Sequence, residues 1–206
     1  MSGFASIYGG GGDDALTPTV LNERNIIDGG GGDDVIAALG GNDTVFGGGG
    51  DDVVLAGRGD DVVLAGGGAD RVFGEQGDDL MFGGGGKDSL YGGAGDDVLF
   101  GEGGKDLLVG GGGDDTMGGG AGQDAFGFDD GFGHDLIIGF QIGTDVLQIA
   151  SGINGTTVND PSDLLTLIST DGFGNAVITL GGDSITLQGI SEADLAANIG
   201  SIAQIV

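Results

Sequence analysis

From Val20 to Gly127 the chain repeats one nine-residue pattern twelve times. The best copies read GGxGxDxUx, where U is a large apolar residue. Gly47 to Leu55, Gly83 to Tyr91 and Gly92 to Phe100 are examples. A strict short period builds one structural unit stacked many times, not a globule around a single cleft. Glycine supplies 53 of the 206 residues and keeps the nine-residue phase without a proline partner, so neither collagen nor a random linker fits.

With Gly29 as position 1, position 6 is Asp34, Asp43, Asp52, Asp61, Asp70, Asp79, Asp88, Asp97, Asp106, Asp115 and Asp124, eleven aspartates in eleven consecutive copies. The preceding copy, 20–28, has lost its glycines and carries Asn25 in the slot. A further copy, Gly9 to Thr17 around Asp14, is out of phase by two residues, with Pro18-Thr19 as the insertion. Position 8 is apolar throughout, from Ile27 and Ile36 to Met117 and Phe126. Positions 7 to 9 are rich in Val, Leu and Phe, which is strand composition. Strand side chains alternate faces, so position 8 forms the core column and positions 7 and 9 face away from it.

Positions 1 to 6 then form a turn, for which glycine supplies positive φ and close backbone approach. Two copies, 18 residues, make one full coil with a strand on each side. The expected fold is all-β, a right-handed parallel β-roll of two short-stranded sheets over residues 1–127, with a β-rich capping segment over 128–206. At about 4.8 Å per coil, six in-phase coils span roughly 29 Å. Only one residue in nine enters the core, while glycine raises the entropic cost of ordering the backbone. Such an array is expected to be disordered unless something binds its turns.

The charge indicates what binds. Against 33 acidic residues stand five Lys/Arg, a net charge of −28. This disfavours nucleic acid and anionic membrane surfaces and favours cations. There is no cysteine, which excludes disulfides and thiolate zinc sites. No run approaches about 20 apolar residues, so no membrane span is expected. Met1 to Tyr8 lacks the basic and apolar stretches of a signal peptide. A carboxylate in every turn, framed by glycine carbonyls, suits calcium, which takes six to eight hard oxygens in irregular geometry.

The nonapeptide resembles the RTX (repeats-in-toxin) β-roll, a calcium-binding repeat. The resemblance covers residues 9–127 and extends into Gly131 to Phe140 and Asp145-Val146-Leu147, which are similar to the segment that follows RTX repeats. It implies calcium between successive coils on one side of the roll, held by position-6 aspartates of both coils and by turn carbonyls, those of Gly47, Gly49, Gly83, Gly85, Gly101 and Gly103 among them. One side would pair Asp34/Asp52 through Asp106/Asp124, the other Asp43/Asp61 through Asp97/Asp115, nine complete pairs. Asn25/Asp43 would be a weaker site, and the 20-residue spacing of Asp14 and Asp34 leaves that pair in doubt. Nine to eleven ions are expected; nine or ten would bring −28 to about −10 or −8. Position 5 is often acidic (Asp33, Asp51, Asp60, Asp78, Asp96, Asp114) but reads Lys87 and Lys105 elsewhere, so its side chain is expected to face solvent.

Past Gly127, strands are expected over 135–140 and 145–150. Asp160 should cap a short helix with Pro161 at its first position. A hairpin is expected at Gly181-Gly182-Asp183, and a last helix should start at Ser191 with Asp194. This segment would cap the open sheet edges. The resemblance further implies a C-terminal signal for type I secretion machinery, with Leu195 to Val206 as candidate. His134 is the single histidine and sits in the segment that resembles the family, so no HExxH zinc site is available. Neither a GxSxG nor a Walker-type motif occurs.

The reading is therefore a secreted, non-enzymatic calcium-binding protein that folds in extracellular calcium. Two alternatives stand: the C-terminal module of a larger secreted hydrolase or toxin, and a structural or adhesive surface protein. Position 9 is apolar (Phe46, Leu64, Phe82, Phe100; Leu55, Phe73, Tyr91, Val109), offering a self-association surface or simply residues that cover one another along the stack.

Overall fold

A computed structural model describes residues 4–19 and 21–206. Val20, the first residue of the degenerate copy, and Met1 to Gly3 lie outside the described residues. Alternate copies of the repeat feed two sheets. Among the described residues the first has 12 strands. Its parallel part runs through Phe4–Gly11, Arg24–Gly31, Thr44–Gly49, Val62–Gly68, Leu80–Gly86, Val98–Gly104, Thr116–Gly118 and His134–Ile137. The second has nine strands, from Ala15–Leu16 and Val35–Ala37 through Val53–Arg58 and Leu107–Gly112 to Val146–Ile149 and Ala203–Ile205. From Arg24–Gly31 to Leu107–Gly112 each strand pairs with the strand 18 residues on, as in Val62↔Leu80 and Leu80↔Val98, while Ala15↔Val35 and Thr116↔Leu136 are 20 residues apart.

Position 8 is the core column. Ile27, Ile36, Val45, Val54, Val63, Val72, Met81, Leu90, Leu99, Leu108, Met117 and Phe126 are all fully buried. The position-9 residues stack on their counterparts outside. Phe73 and Tyr91 lie 5.1 Å apart and nearly parallel, and Phe82 and Phe100 lie 5.4 Å apart. Offset stacking of this kind adds to the apolar contact along the roll.

The strands outrun the three residues expected from composition. Val62–Gly68 and Leu80–Gly86 extend through position 4 of the glycine turn. Because neighbouring coils are alike, turn lies on turn and the backbone ladder does not stop: Gly50 donates to the Gly67 carbonyl at 2.8 Å, and Gly59 to that of Gln76 at 2.8 Å. Backbone φ is positive at positions 2 and 4, as at Gly48 (113°) and Gly50 (127°). Position 2 tolerates other residues at smaller angles, such as Leu39 at 79° and Glu75 at 75°. Position 4 is glycine in every copy from 29 to 127. A Cβ on Gly50 would overlap the Gly32 carbonyl of the coil below.

The nonapeptide ends at Gly127 but the parallel stacking continues. His134–Ile137 pairs with Thr116–Gly118, and Val146–Ile149 with Ala125–Phe128. The expected hairpin forms from Ala176–Leu180 and Asp183–Leu187 and joins the first sheet through His134–Ile137, with Ile168–Thr170 at its outer edge. Asp160 caps a 3-10 helix, Pro161–Thr166, and Ser191 caps the helix Glu192–Ile202. Ala203–Ile205 then closes the second sheet on Val146–Ile149. At the C-terminal end both sheets thus finish in three-residue strands, which limits the exposed edge there. No helix of the described residues is long and apolar enough to cross a membrane.

Gly50→Ala is expected to cost at least about 2 kcal/mol through strained φ and carbonyl overlap. At Gly49 an added Cβ has only the Gly67 carbonyl oxygen near it, at 3.9 Å. Gly49→Ala should therefore stay within about 0.5 kcal/mol of the parent. Unfolding midpoints of the two variants in calcium check this; equal losses would remove the steric argument.

Candidate metal centre

Position 6 lies just before each core strand, and there the chain turns its aspartate inward. All eleven repeat aspartates, together with Asn25, Asp135 and Asp145, are 1–2% exposed. Each Oδ1 accepts the backbone N–H of the position-6 residue one coil earlier: Asp34 donates to Asp52 at 2.8 Å, Asp52 to Asp70 at 2.8 Å, and Asp61 to Asp79 at 2.8 Å. The carboxylates therefore form two rows, one on each flank, with the predicted pairs as neighbours.

The second oxygen is different. Oδ2 of every repeat aspartate, of Asp14 and of Asp135 is buried without a hydrogen-bond donor. A desolvated carboxylate oxygen left unpaired costs several kcal/mol, and a full row of them demands a counter-charge. The space beside each is kept by position 1. A Cβ on Gly47 would lie 2.6 Å from the Asp52 Oδ2 and would also overlap the Ala65 carbonyl oxygen of the next coil; on Gly83 it would lie 2.6 Å from the Asp88 Oδ2 and 3.0 Å from the Gly101 carbonyl. A carboxylate and a carbonyl from adjacent coils thus converge at Gly47 and Gly83, and at Gly101 with Asp106 and the Gly119 carbonyl. In three copies position 1 is alanine (Ala38, Ala56, Ala65), and each is fully buried.

The position-3 glycines named from the resemblance differ from those at position 1 in what surrounds them. Gly49, Gly85 and Gly103 point their open side to solvent, and the Gly49 carbonyl already accepts the Gly32 amide at 2.8 Å. Among the described residues no three His, Cys, Asp or Glu side chains converge on one point. A metal ion here would therefore be held by two carboxylates and backbone carbonyls. That all-oxygen donor set fits calcium, which would supply the missing positive charge when bound.

Asn25 occupies the slot with a difference. Its backbone N–H and its Nδ2 both reach the Asp43 Oδ1, at 2.6 and 3.0 Å, while its own Oδ1 is buried without a donor. Asp14 also joins the row, donating its N–H to Asp34 at 2.8 Å despite the 20-residue spacing. Asp135 and Asp145, which the nine-residue phase passed over, extend the rows by accepting the Asp115 and Asp124 amides at 3.0 and 3.2 Å. Their signal was present as Gly133-x-Asp135-x-Ile137 and Gly143-x-Asp145-x-Leu147, shifted by two and three residues.

Position 5 is exposed, as expected, yet it forms a second ladder running the opposite way. Asp33 accepts from the later Asp51 amide at 2.8 Å, and Asp78 from that of Asp96 at 2.9 Å. The ladder runs along one flank through Asp60, Asp78, Asp96 and Asp114. On the other flank it gives way to Ala69, Lys87, Lys105 and Gln123, where Lys105 donates to Gln123 at 2.9 Å.

The profile of the RTX calcium-binding nonapeptide repeat (4 copies) matches residues 6–17, 28–63, 55–90, 64–99 and 91–126, more than half of the chain. This chain belongs to the RTX calcium-binding repeat family. No curated protein sequence matches it significantly. Among solved structures, an extracellular lipase from Serratia marcescens is similar at 18% identity and a TM-score of 0.40 over 82% of this chain. The RTX chain covers 40% of that lipase. A subunit of the Azotobacter vinelandii mannuronan C5-epimerase is similar at 21% identity and a TM-score of 0.26, over 92% of this chain and 83% of that one.

Burial raises the pKa of the ten repeat aspartates from Asp43 to Asp124, opposed by the single amide each Oδ1 receives and, at most of them, reinforced by neighbouring carboxylates. Asp61 and Asp97 rise to about 7, and Asp70, Asp79, Asp106 and Asp115 to about 6. Asp135 rises to about 8. In the metal-free fold these groups hold protons that an open chain has released, so low pH favours the fold. That stability is fully present below the ordinary 3.8 and is lost as pH climbs through about 6 to 8. Circular dichroism in chelator should gain β signal between pH 8 and 4, and calcium binding near pH 6.5 should release protons. A signal flat across that window would contradict unpaired inner carboxylates.

Proposed function

We propose that this is a secreted, non-enzymatic calcium-binding RTX protein whose folding is triggered by extracellular calcium. The observation that carries this is the continuous row of buried, donor-less Oδ2 atoms on each flank. Without cations the rows oppose folding; with them each ion ties one coil to the next. Binding and folding then form one cooperative event. The family membership supplies the identity of the ion.

Export follows from the same physics. In the low-calcium cytoplasm the chain stays open enough to pass a type I channel, and calcium outside closes it. The C-terminal tail supports this order. Leu195, Ile199 and Ile202 are buried and Ala203–Ile205 is paired in a sheet, so secretion machinery would read a signal there only before folding. The rows have one chemistry along their whole length, which suits a repeated ion scaffold better than a single reaction centre.

A calcium titration followed by circular dichroism and ion counting tests the proposal. Nine to eleven repeat-held ions, bound cooperatively with the gain of β structure, are expected. A chain fully folded in excess chelator at pH 8, or one binding only one or two ions, would overturn it. Asp70→Asn, placed mid-row between Asp52 and Asp88, should raise the calcium concentration at the folding midpoint several-fold, because an unbound slot interrupts coupling on that flank.

A further inference from the structure

We propose that the chain holds one more calcium site outside its repeats, between Asp115 and Asp135, where the roll meets its cap. This rests on reading the repeat carboxylates as calcium ligands and adds a site that the repeat itself does not supply. The family profile ends at residue 126.

The junction reproduces the repeat arrangement by a different route. Asp135 is 1% exposed. Its Oδ1 accepts the Asp115 amide at 3.0 Å, as each repeat aspartate does from the coil before it. The Oδ2 atoms of both Asp115 and Asp135 are buried and have no donor. Strand register keeps them in line, with Thr116↔Leu136 and Met117↔Ile137. The two extra residues of the 20-residue spacing are taken up by the turn at 130–131. Asn154 fastens that turn: its Oδ1 accepts the Gly131 backbone N–H at 2.9 Å and its backbone N–H donates to the Asp130 Oδ1 at 2.5 Å. The Asn154 Nδ2 also reaches the Leu180 carbonyl and the Asp183 Oδ2 of the cap hairpin, at 2.9 and 2.8 Å.

The other row ends differently. Asp145 is just as buried and accepts the Asp124 amide at 3.2 Å, but its Oδ2 already receives the Gln141 amide at 2.8 Å. Three extra residues wrap the loop 141–144 around that carboxylate, so the protein supplies the partner itself. Asp135 receives no such partner. A hard divalent cation is the group that two buried, donor-less carboxylate oxygens on successive coils would take, with backbone carbonyls completing the shell. Asp135 stands in the strand that pairs directly with the hairpin, opposite Ile185. The ion would therefore bridge roll and cap on one flank, while a hydrogen-bonded loop does so on the other.

Native mass spectrometry of the full chain in calcium counts the ions. Asp135→Asn should lose one ion relative to the parent. Asp145→Asn should keep the full count, and Asp79→Asn, inside the repeat, should lose at least one. If Asp79→Asn loses ions but Asp135→Asn does not, the junction site is overturned and the repeat reading stands. If neither loses an ion, both fall. Should Asp135→Asn fail to fold, carboxyl carbon NMR of the parent decides: the Asp135 resonance shifts on calcium titration if it is a ligand, and a resonance that stays put with ions bound would overturn the site.

Discussion

The structure depends on a buried carboxylate that is only half satisfied. In each coil one aspartate oxygen takes a backbone amide from the neighbouring coil and the other takes nothing. The first bond fixes how coils stack; the second oxygen makes the stack conditional. Neither could be replaced by apolar packing without losing the condition. The core adds one fully buried side chain per nonapeptide, a column that guides stacking while leaving the charge of the turns to be answered from outside.

Much of this was legible because a strict period removes ambiguity. Position 8 could be assigned to the core from its apolar run, and position 6 to the inner turn from its invariance. Glycine was less informative. The sequence contains it at positions 1 to 4 alike, yet the reasons differ. Position 1 keeps space beside a carboxylate, position 4 lies against the carbonyl of the coil below, and position 3 faces open solvent. Those reasons exist only once coils are stacked, so no single copy displays them. Strand length was underestimated for the same reason: turn-to-turn hydrogen bonding is a property of neighbours, not of composition.

Asp135 and Asp145 were hidden by the rule that exposed the others. Counting by nine finds residues that keep phase and passes over those displaced by two or three. Structurally the displacement is minor, because a turn at the edge of the coil absorbs extra residues without disturbing strand register. The cap was easier to anticipate, since its signals are local: an Asp-Pro helix start, a Gly-Gly hairpin and a Ser-x-x-Asp helix start all act within a few residues. What they could not reveal was that the last three-residue strand returns to the roll and closes its second sheet.

The outer, position-5 ladder has its own consequence. It is unbroken aspartate from Asp60 to Asp114 along one flank, while the other flank substitutes Ala69, Lys87, Lys105 and Gln123. Once cations have neutralised the inner rows, the charge that remains is distributed unevenly across the roll's width. The molecule becomes a slab with one polyanionic side and one nearly neutral side, carrying a transverse dipole set by six or so surface residues. Such a slab does not meet a charged surface at random. It presents its lysine-bearing flank to anything anionic and turns the aspartate flank away, so the fold that gathers calcium also gives the particle a preferred orientation.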